Sequence, residues 1–316
     1  MVLITAVALT LAALLVMQYP KRGQRPVEST DTEEQSETVQ ESTLAETEEP
    51  RWDPSGYTLV SFSKGDTKRG ELVLVNRQNA YDFGYEDAKR VELYPLLTKD
   101  SRFNIAYSDI TMAEQAYNAF VKMTNDCFAE SGFQDLMITA AYRDMAKQSE
   151  YYNSYIEAEE DKLYVEEAGY SDHHTGLAFD LKIFTSDGIS YRYSEHAAQM
   201  APYIVNNYHK YGFIMRYPAD KAAHTGIESE GNHRRYVGLP HSVYMTENNL
   251  CLEEYLELVS KHPVQEPLEI VLDGITYLVY SAPVGDSGSQ VYVPSEGEYT
   301  VSGSNTGMVI ITCKDK

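Results

Sequence analysis

Apolar and polar positions along this chain switch between a helical and a strand period. Residues 111–130 (TMAEQAYNAFVKMTNDCFAE) set Ala113, Ala116, Phe120 and Met123 on one helical face, with Thr111 as cap and Gly132 as stop. Residues 144–158, 203–211 (ending at Gly212) and 252–260 predict three further helices. Residues 71–76 (ELVLVN) and 136–142 read as buried strands. Short strands and helices mix over residues 57–262 without regular β-α-β alternation, which predicts an α+β domain long enough for one sizeable core. After His262-Pro263 the pattern becomes strand-only. Residues 268–272 and 275–280 flank Asp273-Gly274, the pair a type I′ hairpin turn requires, and 291–293, 298–301 and 308–312 add strands. A small all-β appendage over residues 263–316 is the expectation, and no internal repeat is present.

The first 56 residues read differently. Residues 2–17 (VLITAVALTLAALLVM) are uncharged and apolar, slightly short of the roughly 20 residues a bilayer span needs. Three readings stand: an uncleaved membrane anchor over residues 1–20, a cleaved signal peptide, or a core helix. A core helix should show a polar face, and a signal peptide a basic start and a small-x-small cleavage site; neither pattern is clear. Residues 26–50 hold nine acids and no base, with many Ser, Thr and Gln. Such a stretch cannot bury enough apolar surface to offset its ordering entropy, so residues 21–56 read as a disordered acidic linker.

Composition narrows the field. At 43% hydrophobic and 23% charged, the chain is neither wholly disordered nor a multi-span membrane protein. The 26 Lys and Arg against 48 Asp and Glu leave a net charge of −22, which repels phosphate backbones and argues against nucleic acid as a partner. Cys127, Cys251 and Cys313 are isolated, which excludes a cysteine-built zinc module and a disulfide framework.

Two segments concentrate reactive side chains: SDHHTGLAFD (171–180) and EGNHRRYVG (230–238). Two imidazoles and one carboxylate form a borderline donor set that suits zinc and leaves a fourth position for water. His173 and Asp180 lie seven apart, which fits a loop and a strand beginning near Leu177 better than one helix face. Small Gly176 and Ala178 would let the backbone approach an ion. Glu230, three residues before His233, can face the same pocket without binding the ion. A lone histidine is more often a surface or internally satisfied residue than a ligand, and His196, His209, His224, His241 and His262 stay in that class. His173 and His233 leave it because acids and glycines surround both. Asp180, beside Leu181 and Ile183, would be costly to bury without a partner.

SDHHTGLAFD resembles the SxHxxGxAxD motif of the VanY-like zinc D-alanyl-D-alanine carboxypeptidases, peptidase family M15. Ile138 to Arg143 with Gln148, Lys210 to Pro218, Lys221 to Ile227, and the ExxHxRYVG-like run from Glu230 to Gly238 follow in the family's order. The strand at 71–76 is similar to the one that opens the family's domain, and the likeness covers residues 72–258. It implies the Hedgehog/DD-peptidase fold, an antiparallel sheet with flanking helices. It implies one zinc ion on His173, Asp180 and His233, and Glu230 as general base in the attack of zinc-bound water. Arg143 would hold the developing oxyanion or the substrate carboxyl side, Ser171 would contact the terminal carboxylate, and Gln148 would support the substrate side.

The activity so implied is removal of the terminal D-Ala from peptidoglycan stem pentapeptides. Alternatives are a D-Ala-D-Ala dipeptidase, an L,D-carboxypeptidase, or a catalytically impaired, zinc-stabilised wall-binding module. A wall substrate places the domain outside the cell membrane, held by the N-terminal segment or secreted after its cleavage. Lys21 and Arg22 sit awkwardly with that orientation, because a basic flank tends to stay cytoplasmic. The chain departs from the family pattern at Asn232, commonly Trp, at Asp144, usually Ser, and at His174, commonly Gln. His174 is also a rival to His173 as ligand, although the spacing to Gly176 and Asp180 favours His173.

Overall fold

The chain first lays down β1 (Tyr57–Phe62), β2 (Arg90–Glu92), β3 (Asn104–Ile105) and β4 (Thr111–Ala113) in a computed structural model that describes residues 53–315 except 86–87 and 158–164. Helix α1 (Glu114–Ser131) follows, then β5 (Leu136–Ala140), α2 (Met145–Glu157), β6 (Ala178–Phe184) and β7 (Ser190–Arg192). The middle of the chain adds α3 (Tyr193–Met200), α4 (Pro202–Asn207), β8 (Phe213–Met215), α5 (Ala222–Thr225) and β9 (His233–Tyr236). Two helices, α6 (His241–Glu247) and α7 (Leu252–Val259), lead into β10 (Leu268–Leu272), β11 (Ile275–Pro283), β12 (Ser289–Pro294), β13 (Tyr299–Gly303) and β14 (Met308–Lys314). The α+β expectation holds. The readings made for residues 1–52 lie outside the described residues. No described helix is long and apolar enough to cross a membrane.

The central sheet runs β3-β5-β6-β9-β8, with β7 paired to β6. All its pairs are antiparallel except β3 with β5. One face packs on α1, α3 and α4; there Phe120 of α1 meets Phe179 edge-to-face at 5.2 Å, and Phe179 meets Phe213 of β8 in the same way at 5.3 Å between centroids. Helix α1 buries Ala116, Phe120, Met123 and Cys127, and Gly132 at φ +73° ends it as a left-handed cap. It starts three residues later than its spacing predicts. Thr111 is not its cap: it pairs with Glu92 in β4 and accepts from the Tyr142 N–H, so extended pairing outcompetes the first helical turn.

Residues 71–76 are a second correction. Leu72, Val73, Leu74 and Val75 are buried as the pattern demands, yet they join no sheet. Polar groups from elsewhere satisfy their backbone instead of a ladder. Arg235 Nη2 donates to the Glu71 and Val73 carbonyls at 2.9 Å, and Ser302 Oγ accepts from Leu72 N at 2.8 Å. The Ser304 carbonyl accepts from Leu74 N at 3.1 Å, and Asn305 Nδ2 donates to the Leu74 carbonyl at 2.8 Å.

The C-terminal segment is all-β, with sheet order β10-β11-β14-β13, and Asp273 and Gly274 at φ +51° and +78° form the expected hairpin turn. It is built into the body and does not hang from it. β12 pairs along its length with β1, some 230 residues earlier. Ile270, Val279 and Ile310 share a core with Leu72, Leu74, Met245, Tyr255 and Val259. A domain boundary at 262/263 therefore cuts through a common apolar layer.

His241 on α6 sits in this seam, buried, with Nδ1 2.7 Å from the Tyr255 hydroxyl and Nε2 3.2 Å from Thr312 Oγ1. Burial pushes its pKa down to about 4. The unfolded chain then binds a proton below the ordinary value of 6.5, whereas the native state does so only near 4. Native stability is therefore complete above about pH 6.5 and falls as pH drops toward 4, by roughly 1.4 kcal/mol per pH unit from this group. Urea midpoints measured from pH 7.5 to 5 should fall less steeply for His241→Asn than for the parent protein; parallel slopes would remove His241 as the cause.

Candidate metal and active site

The site is assembled where β6 lies between β5 and β9. In that register Asp180 stands opposite Ala140 on one side and His233 on the other. Backbone pairing alone thus brings together an acid and an imidazole 53 residues apart. His173 arrives on a one-turn 3-10 helix, Asp172–Thr175, whose N-cap Ser171 accepts from His173 N. Gly176 ends that turn at φ +69° and redirects the chain into β6, a conformation glycine adopts without steric cost.

His173, Asp180 and His233 each present a donor atom, and all three atoms lie within 4.8 Å of one another. His173 Nδ1–H donates to the Ala141 carbonyl at 2.6 Å, which leaves Nε2 facing Asp180 Oδ2 at 3.3 Å. His233 turns Nδ1 toward Asp180 Oδ1 at 3.0 Å and Nε2 toward Asp172 Oδ2 at 3.6 Å. Two nitrogens and one carboxylate oxygen, two of them on buried rings, are the donor chemistry of a zinc site with an open position. The residues present fit the ion.

Electrostatics separates the roles of these groups. Burial, helped by the Arg143 guanidinium, lowers His173 to about 4, so its ring is neutral and its Nε2 lone pair available. Burial would also lower His233, but the carboxylates of Asp172 and Asp180, one beside each ring nitrogen, outweigh that and push it up to about 9; an incoming cation must displace this proton. Asp180 resists the rise that burial would cause, because the two imidazoles hold it well below the usual carboxylate range. Glu230 behaves oppositely. Burial pushes it up to about 7, with Asp180 adding to the rise and His233 opposing it, and its Oε2 lies 3.7 Å from His233 Nδ1. A carboxyl near neutrality beside a metal-type cluster is suited to taking up and returning a proton.

The other residues singled out from the sequence gather around the same cavity of about 280 Å³, which Arg143, Gln148, Ser171, Glu230 and Asn232 all line. Arg143 donates from Nη2 to Asp180 Oδ2 at 3.0 Å and from Nη1 to Gln148 Oε1 at 3.2 Å, and it lies over the Tyr151 ring. Gln148 is almost wholly buried and also donates to the Glu166 carbonyl, so it braces the guanidinium from behind. His174 is a structural residue. Its Nδ1–H donates to the Arg143 carbonyl, its Nε2 accepts from Gly169 N, and its ring packs among Tyr81 and Phe83. Asp144 caps α2 by accepting from Lys147 N at 2.7 Å. Asn232 supplies a backbone carbonyl to Leu181, while Tyr217 packs its ring on His233 at 5.0 Å. A larger cavity, about 430 Å³, lies between residues 68–73 and the C-terminal sheet, and none of these residues lines it.

Sequence reasoning missed Asp172, Arg216 and Tyr217. Asp172 and Arg216 are fully buried in one charged cluster with Arg235 and Glu253. An acid directly before two histidines was a signal, but its target lies on another strand.

This fold and site define a peptidase centre with a candidate metal cluster. A family model described as VanY, D-alanyl-D-alanine carboxypeptidase, matches residues 109–239. A D-alanyl-D-alanine carboxypeptidase of Enterococcus faecium is 31% identical over 299 residues, covering 94% of this chain and 86% of that protein. One from Enterococcus faecalis (strain ATCC 700802 / V583) is 31% identical over 207 residues, covering 64% and 72%. Among solved structures, the vancomycin-resistance D,D-dipeptidase VanXYg, in complex with a D-Ala-D-Ala phosphinate analog, superposes with a TM-score of 0.70 at 24% identity. That likeness covers 82% of this chain and 99% of the other, and it shows the shared fold. The chain belongs to the VanY family of D-alanyl-D-alanine carboxypeptidases, and it is a carboxypeptidase.

Proposed function

We propose that this carboxypeptidase binds one zinc ion on His173, Asp180 and His233 and removes the terminal D-Ala from peptidoglycan stem pentapeptides. The observation that carries this is the convergence of three donor atoms within 4.8 Å, with an uncoordinated carboxyl, Glu230, held near neutrality beside them. When bound, zinc supplies a Lewis acid that polarises the scissile carbonyl and lowers the pKa of water from about 15.7 to about 7.

The chain's own groups do the rest. Glu230 accepts a proton from the attacking water, and the new C–O bond makes the scissile carbonyl tetrahedral. The C–N bond then breaks, and Glu230 returns the proton to the nitrogen of the leaving D-Ala. Arg143 faces the cavity with a planar guanidinium that matches a carboxylate or developing oxyanion, and Gln148 keeps it there. Ser171 offers its hydroxyl to the terminal carboxylate of the substrate. A module that only bound the cell wall would have no use for Glu230 in this position.

The setting follows from the substrate. A wall-bound stem peptide lies outside the membrane, and the apolar run at residues 2–17 with the acidic stretch at 26–50 would anchor the domain and let it reach that polymer. The net charge of −22 argues against nucleic acid as a partner.

The test is mass analysis of a pentapeptide stem incubated with the protein spanning residues 52–316. One alanine should be lost, the loss should stop with a chelator, and zinc should restore it. Cleavage of free D-Ala-D-Ala in preference to the pentapeptide would make the protein a dipeptidase. Inertness of folded, zinc-loaded protein toward both, and toward a tetrapeptide, would favour the wall-binding reading.

A further inference from the structure

We infer that Asp172 is a positioning residue that sets the tautomer and ring orientation of His233, so that Nδ1 and not Nε2 is presented to a divalent cation. The inference rests on reading His173, Asp180 and His233 as ligands.

Three buried polar atoms without a hydrogen-bond partner among the described residues meet at one point: His233 Nε2, Asp172 Oδ2 and Arg216 Nε. Their separations are 3.6 Å from Oδ2 to His233 Nε2 and 3.8 Å from Oδ2 to Arg216 Nε. These distances are too long for hydrogen bonds and short enough for a small ring rotation to close one. Buried polar atoms are rarely left so, because each costs the desolvation it is not repaid. Among the described residues, no other acceptor lies within hydrogen-bond range of His233 Nε2.

Asp172 itself has little freedom. Its other oxygen, Oδ1, pairs with Arg235 Nη1, and Arg235 Nη2 is held by the Glu71 and Val73 carbonyls. Arg216 is clamped by both Glu253 oxygens at 2.8 and 2.7 Å. The two arginines, Asp172 and Glu253 sum to zero charge. Removing the Asp172 charge would leave a buried excess positive charge next to a cation ligand. His173 is oriented differently, by the Ala141 carbonyl on its Nδ1, so the two rings would offer opposite nitrogens to one ion. A carboxylate behind a ligating imidazole fixes its tautomer and raises its basicity, and loss of such a partner typically weakens metal affinity about 10–100-fold.

The test uses Zn²⁺ and Co²⁺ alone, titrated into the full-length protein against a competing chelator. Asp172→Asn should bind each ion 10–100-fold more weakly and alter the visible Co²⁺ spectrum, while Asp172→Glu should recover part of the affinity. Because these buried substitutions can compromise folding, the unsubstituted zinc-loaded protein is also read by ¹H–¹⁵N spectra of its histidines. His233 should show Nε2 protonated and Nδ1 bound, and His173 the reverse. An Nε2-bound His233, or unchanged ion affinity and Co²⁺ spectrum in folded Asp172→Asn, overturns the role of Asp172 and leaves the ligand reading standing. Failure of the unsubstituted protein to take up either ion overturns both.

Discussion

Replacing Glu230 by glutamine is expected to lower turnover of a D-Ala-terminated pentapeptide by about 10²–10⁴-fold, the range for loss of a positioned general base. Glutamine matches the shape of the side chain but cannot take a proton from water or return one to the leaving amine. The loss should fall on kcat. KM should move little, because Arg143 and Ser171 stay where they are. Bound zinc, measured by elemental analysis, should be unchanged, since Glu230 stands 3.7 Å from His233 Nδ1 and is outside the donor cluster. Stability should not suffer either, because a carboxyl whose burial raises its pKa to about 7 gains nothing from being charged in the fold. A zinc-loaded Glu230→Gln protein within a few-fold of full activity would move the proton transfer to another group.

Removal of residues 263–316 is expected to leave a chain that does not fold cooperatively. The deletion strips β12 from β1 and takes Ile270, Val279 and Ile310 out of the core they share with Leu72, Leu74, Met245 and Val259. Each such side chain contributes about 1.5–3 kcal/mol by burial. The three together approach the roughly 5–15 kcal/mol by which a whole domain is stable. The deletion also removes Ser302, Ser304 and Asn305, which hold the backbone of residues 72–74, and with them the frame that carries Arg235. Circular dichroism melting and limited proteolysis of residues 53–262 decide it. A sharp thermal transition with retained zinc binding would show that the C-terminal layer is dispensable.

That result bears on what could be read in the linear chain. The helices at 114–131 and 252–259 and the hairpin around Asp273-Gly274 were legible because each is encoded within a few residues, by period, cap and turn chemistry. Residues 71–76 were misread as a strand for an instructive reason. Their apolar run demands burial, but burial does not specify a ladder. The backbone of residues 71–74 bonds to the side chains of Arg235, Ser302 and Asn305 and to the Ser304 carbonyl, which no local pattern could announce. Thr111 looked like a cap and is a strand residue because β2, twenty residues earlier, offers it a ladder. His174, one position from His173, is excluded as a ligand because Arg143 and Gly169 occupy its two nitrogens.

Unaided, the linear chain determines the α+β class, the types of the donor atoms and the order of the motifs that mark the family. These are properties of residue identity and short-range spacing. Tertiary structure decides what depends on through-space proximity. The antiparallel register of β6 and β9 puts Asp180 opposite His233. Exclusion of water, which depends on the completed core, lifts Glu230 toward neutrality while the two imidazoles keep Asp180 ionised. Asp172 sets Oδ2 3.6 Å from Nε2 of His233, far along the chain, because two buried arginines hold its carboxylate there.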